Sequence, residues 1–395
     1  MQAIILAAGQ GTRLWPLSEL RPKVMIPIGN KPILEHIVES LVKNGINEII
    51  MVVGYRRGMV QAYFGDGSEY GVSISYAVQS KPLGTAHALV AAQGLIKDDF
   101  IILPGDNIIS PEGIRDILEA GPGNSALLTR SLTPPKYGAV EMVDGLVKNI
   151  IEKPATWGSG IISTGIFRLQ RHILTTIAQE VSRGNTSLVD ALGELSSLSM
   201  KAIITTGYWY DVVYPWDVIE MSSHSINIDG QEINGILESN VSIRGPVRIG
   251  EGTRIRSGCN IEGPVIIGKG CDIGPNVVIS PASSIGDNVT ISPFCHISAS
   301  VIMSGSNLGS HAYLGRSLVD SNVKIGPHFC SASGDGQCCV QSELISLKNM
   351  GAVIGSNSTI GGGVSLKPGI IIGNGCSIHD GAKVIENVRD QSEVY

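Results

Sequence analysis

From Leu237 onward an aliphatic residue returns at every sixth position: Leu237, Ile243, Ile249, Ile255, Ile261, Ile267, Ile273, Ile279, Ile285, Ile291 and Ile297, with Met303 next in the count. Neither an α-helix, at 3.6 residues, nor a flat strand, at 2, repeats on six. A chain that turns a corner after every short strand does, and this spacing is the hexapeptide repeat of a parallel β-helix, three strands to a coil. The aliphatic side chain points into the coil. Glycine or a polar residue follows it to turn the corner, as in IGEGTR, IGKGCD and IGDNVT. The phase slips after Met303 and resumes at Leu308 and Leu314. It is lost across SASGDGQCCVQSELISLKNM (331–350), a loop thrown out of the solenoid, and returns as Ile354, Ile360, Leu366, Ile372, Ile378 and Val384.

The first 226 residues obey another rule. Apolar runs of strand length (AIIL, EIIMVVG, SISYAV, DFIILPGD) alternate with helix-length amphipathic segments such as PILEHIVESLVKNG, which Asn44-Gly45 ends as a C-cap. Strands buried on both faces and separated by helices predict an α/β domain with a mainly parallel sheet, whose chemistry sits outside the carboxyl ends of its strands. A chain of 395 residues is too long for one ordinary core. The expected organisation is an α/β domain over 1–226, ending in a helix over 214–226, a linker over 227–235, and a β-helix over 236–390.

Composition narrows the partners. Charged residues at 16% and hydrophobic ones at 43% describe a globular chain, and a net charge of −6 gives no attraction for nucleic acid or an anionic membrane. Met1 leads straight into a strand, and no apolar run approaches the ~18 residues of a membrane span, so a cytoplasmic protein is expected. The cysteines, Cys259, Cys271, Cys295, Cys330, Cys338, Cys339 and Cys376, are odd in number and form no C-x-x-C pair. Buried small hydrophobes are a better reading of them than a zinc site or a disulfide framework.

The first strand runs into LAAGQGTRLWPLSELRPK, residues 6 to 23. A G-x-G turn at a strand end offers backbone N–H groups to a phosphate. A dinucleotide fold would want a third glycine where Leu14 stands, and an acidic end to the second strand, which closes in Val53-Gly54. No Gly-Lys-Ser/Thr closes the loop as a Walker motif would. The cations Arg13 and Lys23 need another account.

LAAGQGTRLWPLSELRPKVMIPIGNKPIL resembles the signature of the sugar-1-phosphate nucleotidylyltransferases, and the likeness continues through QSKPLGTAHAL (79–89), LPGD (103–106), YGAVE (137–141), EKP (152–154) and GYWYD (207–211). With a hexapeptide β-helix behind it, the chain resembles the archaeal and bacterial proteins that make activated amino sugars, and glucose-1-phosphate thymidylyltransferase-like proteins. The fold this implies is a Rossmann-like α/β domain followed by a left-handed parallel β-helix. The reaction it implies is attack of a sugar 1-phosphate oxygen on the α-phosphate of a nucleoside triphosphate, with release of pyrophosphate. Both reactants are polyanions, so positioning and neutralisation must supply most of the catalysis.

The resemblance assigns roles by motif. Arg13 goes to the leaving phosphates and Lys23 to the α-phosphate; Leu6, Ala7, Ala8, Gly9, Gly11 and Thr12 line the nucleotide, with Gln79, Gly84 and Thr85 near its base. An amide at Gln79 can donate to a carbonyl and accept from an imide N–H, which fits uracil or thymine, so UTP or dTTP is implied without a choice between them. Asp106 and Asp211 would hold Mg²⁺, which prefers a few carboxylates, phosphate oxygens and water. Gly138, Glu152, Lys153 and Ser163 would face the sugar phosphate. The family's Asn-Ala-Gly reads Ser163-Thr164-Gly165 here, and its acidic residue is replaced in NTSLVD (185–190), so N-acetylglucosamine 1-phosphate and glucose 1-phosphate both stay open. A non-catalytic regulatory subunit is the alternative; such subunits lose the cations or carboxylates kept here.

In related bifunctional proteins the β-helix acetylates glucosamine 1-phosphate from acetyl-CoA. The resemblance makes His311 in GSHAYLG the general base, sets Tyr313 on the phosphate and lays GAVIG (351–355) along coenzyme A. Arg316 stands where the family has Asp and Ser333 where it has Asn. The bland reading is a β-helix kept for trimerisation. A homotrimer is expected in either case, with Val278, Phe294 and Ile302 off the inward register and buried between chains.

Overall fold

The computed structural model describes residues 1–131, 137–152, 160–193, 199–225, 230–341 and 343–395. The chain divides into two compact units. The first comprises Met1–Gln10, Arg21–Met25 and Ile33–Asp211; the second comprises Gly11–Leu20, Ile26–Pro32 and Val212–Tyr395.

In the first unit a nine-stranded sheet runs in the order Ser73–Val78, Glu48–Val53, Gln2–Ala7, Phe100–Pro104, Ile161–Leu169, Asn124–Arg130, Met200–Ile204, Leu146–Glu152 and Gly138–Val143. The first four strands are parallel, as strand–helix–strand crossovers require. Ile161–Leu169 is antiparallel to both neighbours, an addition that apolar runs alone could not orient. Side chains of Gln2–Ala7 alternate between two cores, as the pleat dictates. Ala3 and Ile5 pack with Leu34, Ile37 and Leu41 of the helix Ile33–Lys43. Ile4 packs with Leu89 and Ala92 of the helix Thr85–Ala92. The Ile33–Lys43 helix ends as its sequence predicts: Gly45 takes φ 74, its N–H donates to the Val42 carbonyl, and Asn44 Nδ2 donates to the Ser40 carbonyl. Ser110 caps the helix Pro111–Glu119 by accepting from the Gly113 N–H, with Pro111 in the first turn.

The second unit is built on three parallel sheets of eight, nine and eight short strands, the three faces of the β-helix. Its core is one column of aliphatic side chains, Ile249, Ile267 and Ile285 among them. The coils begin at Gln231–Ile233, inside the stretch expected to be a linker, where that strand pairs in parallel with Val247–Ile249. The predicted helix is Pro215–Ser225, and it lies with this unit.

Two expectations are corrected here. Ile249 pairs with Ile267 and Ile267 with Ile285, but Ile285 pairs with Ile302 and Ile302 with Val319, so these coils are one residue shorter. The phase therefore slips before Met303, and Ile302 is a fully buried inward residue. It is not an interface residue. The sequence could not separate it from Met303 because both are apolar and adjacent. Val278 is half-buried and Phe294 is 54% exposed. The loop thrown out at 331–350 is an antiparallel hairpin, Gly334–Val340 with Glu343–Met350, after which Val319 resumes its pairing with Ile354.

The cysteines Cys259, Cys271, Cys295, Cys338 and Cys376 are buried, as small hydrophobes should be, but Cys330 is exposed on an outer face. Four of the buried thiols donate to backbone carbonyls at coil corners: Cys259 to Gly274, Cys271 to Gly286, Cys295 to Gly309 and Cys376 to Arg389. Burial pushes all four thiols above the usual cysteine range.

Candidate functional site

In the first unit the polar residues gather where the parallel strands end. The Phe100–Pro104 strand delivers Asp106 to the following turn. Trp209–Asp211 pairs antiparallel with Asn107–Ile109, setting Asp211 opposite Asn107. Two aspartates far apart in sequence are thereby adjacent, and Lys23 binds both. Its Nζ lies 2.7 Å from Asp106 Oδ2 and 3.6 Å from Asp211 Oδ1. The Lys23 side chain is 13% exposed, and those of Asp106 and Asp211 are 37% and 20% exposed. An ammonium between two carboxylates offsets one of their two negative charges and leaves the cluster net negative. Two carboxylates are a hard donor set that fits Mg²⁺, with phosphate and water completing the shell. Among the described residues no group of three or more His, Cys, Asp or Glu is gathered.

Close backbone approach builds the rest of this end of the sheet. A Cβ at Gly54 would sit 2.8 Å from the Ala8 carbonyl oxygen and 3.0 Å from that of Gln79. One at Gly105 would sit 2.8 Å from the Leu6 carbonyl oxygen. These two glycines let Leu6, Ala7 and Ala8 run tightly between neighbouring strand ends, and the sequence reading gave neither a role. Around Gly9 the space is open.

Gln79 is 6% exposed. Its Nε2 donates to the Gly84 carbonyl at 3.0 Å and meets His87 Nδ1 at 3.0 Å. The Gly84 carbonyl can only accept, which fixes the amide's orientation and makes His87 Nδ1 the acceptor. The donor half of Gln79 is thus committed within the protein, and Oε1 is the half directed to other contacts. His87 had no role in the sequence reading. Gly84 holds φ 137, where an added Cβ would collide with the Thr186 backbone. The Thr85 hydroxyl accepts from the Leu188 N–H at 2.8 Å, tying the start of its helix to NTSLVD.

The expected sugar side also converges. Gly138 pairs with Glu152 across one ladder, and Ala139 pairs with Ile151 on one side and Ile162 on the other. Gly138, Glu152 and Ser163 therefore lie on three adjoining strands. Ser163 accepts from the Gly165 N–H in a bulge where Gly165 takes φ 75. Asn107 Nδ2 donates to the Thr164 carbonyl, joining this bulge to the Asp106 turn. The Glu152 side chain and Lys153 lie outside the described residues.

Gly11, Thr12 and Arg13 belong to the second unit. Gly11 is left-handed at φ 76, and Thr12–Leu14 form one 3₁₀ turn. Arg13 is exposed while Leu14 is buried. Burial and Glu343 raise the Tyr214 hydroxyl above its usual range, and Arg13 opposes them, which sets Arg13 electrostatically near Tyr214.

On the β-helix, His311 stands at a coil corner with φ 61. Phe294 and His328 occupy the same corner of the coils before and after it. The three rings stack, at 5.1 Å between Phe294 and His311 and 4.9 Å between His311 and His328. Tyr313 meets His296 edge-on at 5.3 Å, and His296 Nε2 lies 3.1 Å from Ser280 Oγ. Gly315 brings the Tyr313 hydroxyl and the Ser333 N–H to one spot, each 3.2 Å from where its Cβ would be. Arg316 Nε is buried without a hydrogen-bond partner among the described residues.

Residues 2–227 match the nucleotidyl transferase family, 261–350 a GMPPB C-terminal domain, and 351–386 the bacterial transferase hexapeptide repeat. Among curated proteins, the chain is 36% identical to a "Bifunctional protein GlmU" of Methanococcus maripaludis strain C5, over 100% of this chain and 97% of that one. It is 32% identical to the protein of the same name from Methanocaldococcus jannaschii, with the same coverage. A glucose-1-phosphate thymidylyltransferase of Streptomyces griseus is 31% identical over 68% of this chain and 78% of its own. A solved structure of a putative glucose-1-phosphate thymidylyltransferase from Bacillus anthracis, in complex with sucrose, matches with a TM-score of 0.54 at 27% identity. It covers 58% of this chain and 96% of that one. No described helix is long and apolar enough to cross a membrane.

Proposed function

We propose, from the premise that the chain belongs to the nucleotidyl transferase family, that it transfers a uridylyl or thymidylyl group to a sugar 1-phosphate. The enzyme class and the sugar-1-phosphate nucleotidyltransferase activity follow from the family and the full-length relatives. The pyrimidine, the metal and the residue roles are our reading.

One observation carries that reading: Lys23 held between Asp106 and Asp211. Asp106 and Asp211 would hold Mg²⁺, which when bound supplies charge neutralisation on the phosphates. Lys23 then exchanges its carboxylate partners for phosphate oxygen, so the same ammonium neutralises acid in the free enzyme and phosphate in the complex. Arg13, exposed on its 3₁₀ turn, neutralises the leaving pyrophosphate. Leu6, Ala7, Ala8, Gly9, Gly11 and Thr12 give the nucleotide a close backbone surface. Gln79 Oε1 accepts from the imide N–H of uracil or thymine, while Gly84 and Thr85 border the base. On the other side Gly138, Glu152, Lys153 and Ser163 receive the sugar phosphate. Incubation with Mg²⁺, each of four triphosphates and a panel of sugar 1-phosphates tests the reading by pyrophosphate release. Turnover with UTP or dTTP supports it, and turnover only with ATP or GTP contradicts the role of Gln79.

A second activity rests on the β-helix corner. His311 and Tyr313 support acetyl transfer from acetyl-CoA to glucosamine 1-phosphate, with His311 taking the amine proton, while Arg316 and Ser333 depart from the family's pattern. Its relatives named as bifunctional match over the full chain, β-helix included. Thiol release from acetyl-CoA that depends on glucosamine 1-phosphate is the measurement; its absence leaves the β-helix a scaffold. The exposed Phe294 ring supports a homotrimer through this domain, since burying it between chains would remove apolar surface from water.

A further inference from the structure

We infer that Asp390 and Asn374, in the last coils of the β-helix, are positioning residues for nucleotidyl transfer, because they hold the loop that carries Arg13. The inference rests on the reading of Arg13 given above. The loop Gly11–Leu20 is part of the second unit. Trp15 Nε1 donates to Asp390 Oδ2 at 3.1 Å, and Asn374 Nδ2 donates to the Pro16 carbonyl at 3.0 Å. Both coil residues are themselves fixed. Asn374 is 8% exposed, its Oδ1 accepts from the Ser356 N–H at 2.9 Å, and its own N–H donates to Asp390 Oδ1 at 2.6 Å. One carboxylate therefore spans the coil with one oxygen and the loop with the other. A third contact lies on the other side of Arg13, where Gln341 Nε2 donates to Thr12 Oγ1 at 2.6 Å. Leu14 and Leu17 are buried at 1% and 0% exposure, so the loop is anchored on both flanks while Arg13 stays exposed.

A cation that acts by position loses effect when its support loosens, and hydrogen bonds to charged groups are the strong ones. Asp390→Asn separates the two jobs of this carboxylate. The coil N–H of Asn374 still needs an acceptor, so the new amide nitrogen faces the Trp15 N–H, donor against donor. Trp15→Phe removes the same bond from the loop side and keeps an aromatic ring.

The full-length protein and these two variants, singly and together, are compared in pyrophosphate formation, in thermal midpoint, and in amide hydrogen exchange of residues 11–20. Each single variant is expected to lower kcat by roughly 10- to 100-fold. The KM for sugar 1-phosphate and the midpoint should stay unchanged, and exchange in the loop should rise. The double variant should be no worse than the poorer single one, because both remove one bond. Wild-type kcat and exchange in the single variants would overturn the inference, and so would losses that multiply in the double variant. If the wild type forms no pyrophosphate, the catalytic reading has failed, and loop exchange still tests the clamp.

Discussion

Lys23 touches two carboxylates that the chain brings together from residues 106 and 211, and their roles separate by substitution. Removing a preorganised charge from a phosphate site costs about 10²–10³ in rate, so Lys23→Ala should lower kcat/KM by that order. Gln79 offers a finer test. Its Nε2 is held by Gly84 and His87, so His87→Leu removes one of the two acceptors that hold the amide in place. The expected outcome is a drop of about tenfold in the preference for pyrimidine over purine triphosphates, read as the ratio of kcat/KM values. An unchanged ratio would remove His87 from base selection. Asp106, Asp211 and Lys23 stand out in the sequence because they close motifs, and the structure brings the three side chains together. His87, Gly54 and Gly105 do not stand out, since a buried acceptor and two close backbone approaches leave no periodic or compositional trace. The thiols make a third residue-scale prediction. Burial raises Cys259, Cys271, Cys295 and Cys376, which favours the protonated, unreactive form through neutral pH. Alkylation at pH 8 followed by peptide mapping should label Cys330 and spare those four.

At the scale of the element, the coil decides which apolar residues matter. Ile302 is an inward residue of the core, whereas Phe294 is an exposed corner residue. Ile302→Ala should cost about 2–5 kcal/mol and lower the midpoint of thermal unfolding. Phe294→Ala should stay within about 0.5 kcal/mol for the isolated chain and shift the proposed trimer towards monomer in light scattering. Equal effects of the two substitutions on the midpoint would contradict the register described. The six-residue period was readable because one aliphatic residue recurs at the same inward position of each short strand. The slip of phase was readable too, but its position was not, because the chain loses one residue beside two adjacent positions, 302 and 303, that are both apolar. Nor was the antiparallel strand Ile161–Leu169, whose direction is chosen by pairing partners distant in sequence.

Across the whole molecule, the first 32 residues are shared between two units: Met1–Gln10 and Arg21–Met25 count with the sheet, and Gly11–Leu20 and Ile26–Pro32 with the β-helix. Contacts such as Asn30 Oδ1 accepting from Ser284 Oγ span most of the chain and carry no sequence signature. The domain reading from hydrophobic period alone could not see this, since the period reports only local structure. The central claim is that the chain carries out metal-dependent nucleotidyl transfer at the carboxylate pair Asp106 and Asp211. It is tested most directly by pyrophosphate release from UTP or dTTP and a sugar 1-phosphate in Mg²⁺, for the wild type beside Asp106→Asn and Asp211→Asn. The account predicts metal-dependent release by the wild type and a loss of at least about 10²-fold in each variant, with an unchanged circular dichroism spectrum. Full activity in either variant, or no release by the wild type with any sugar 1-phosphate, would contradict it.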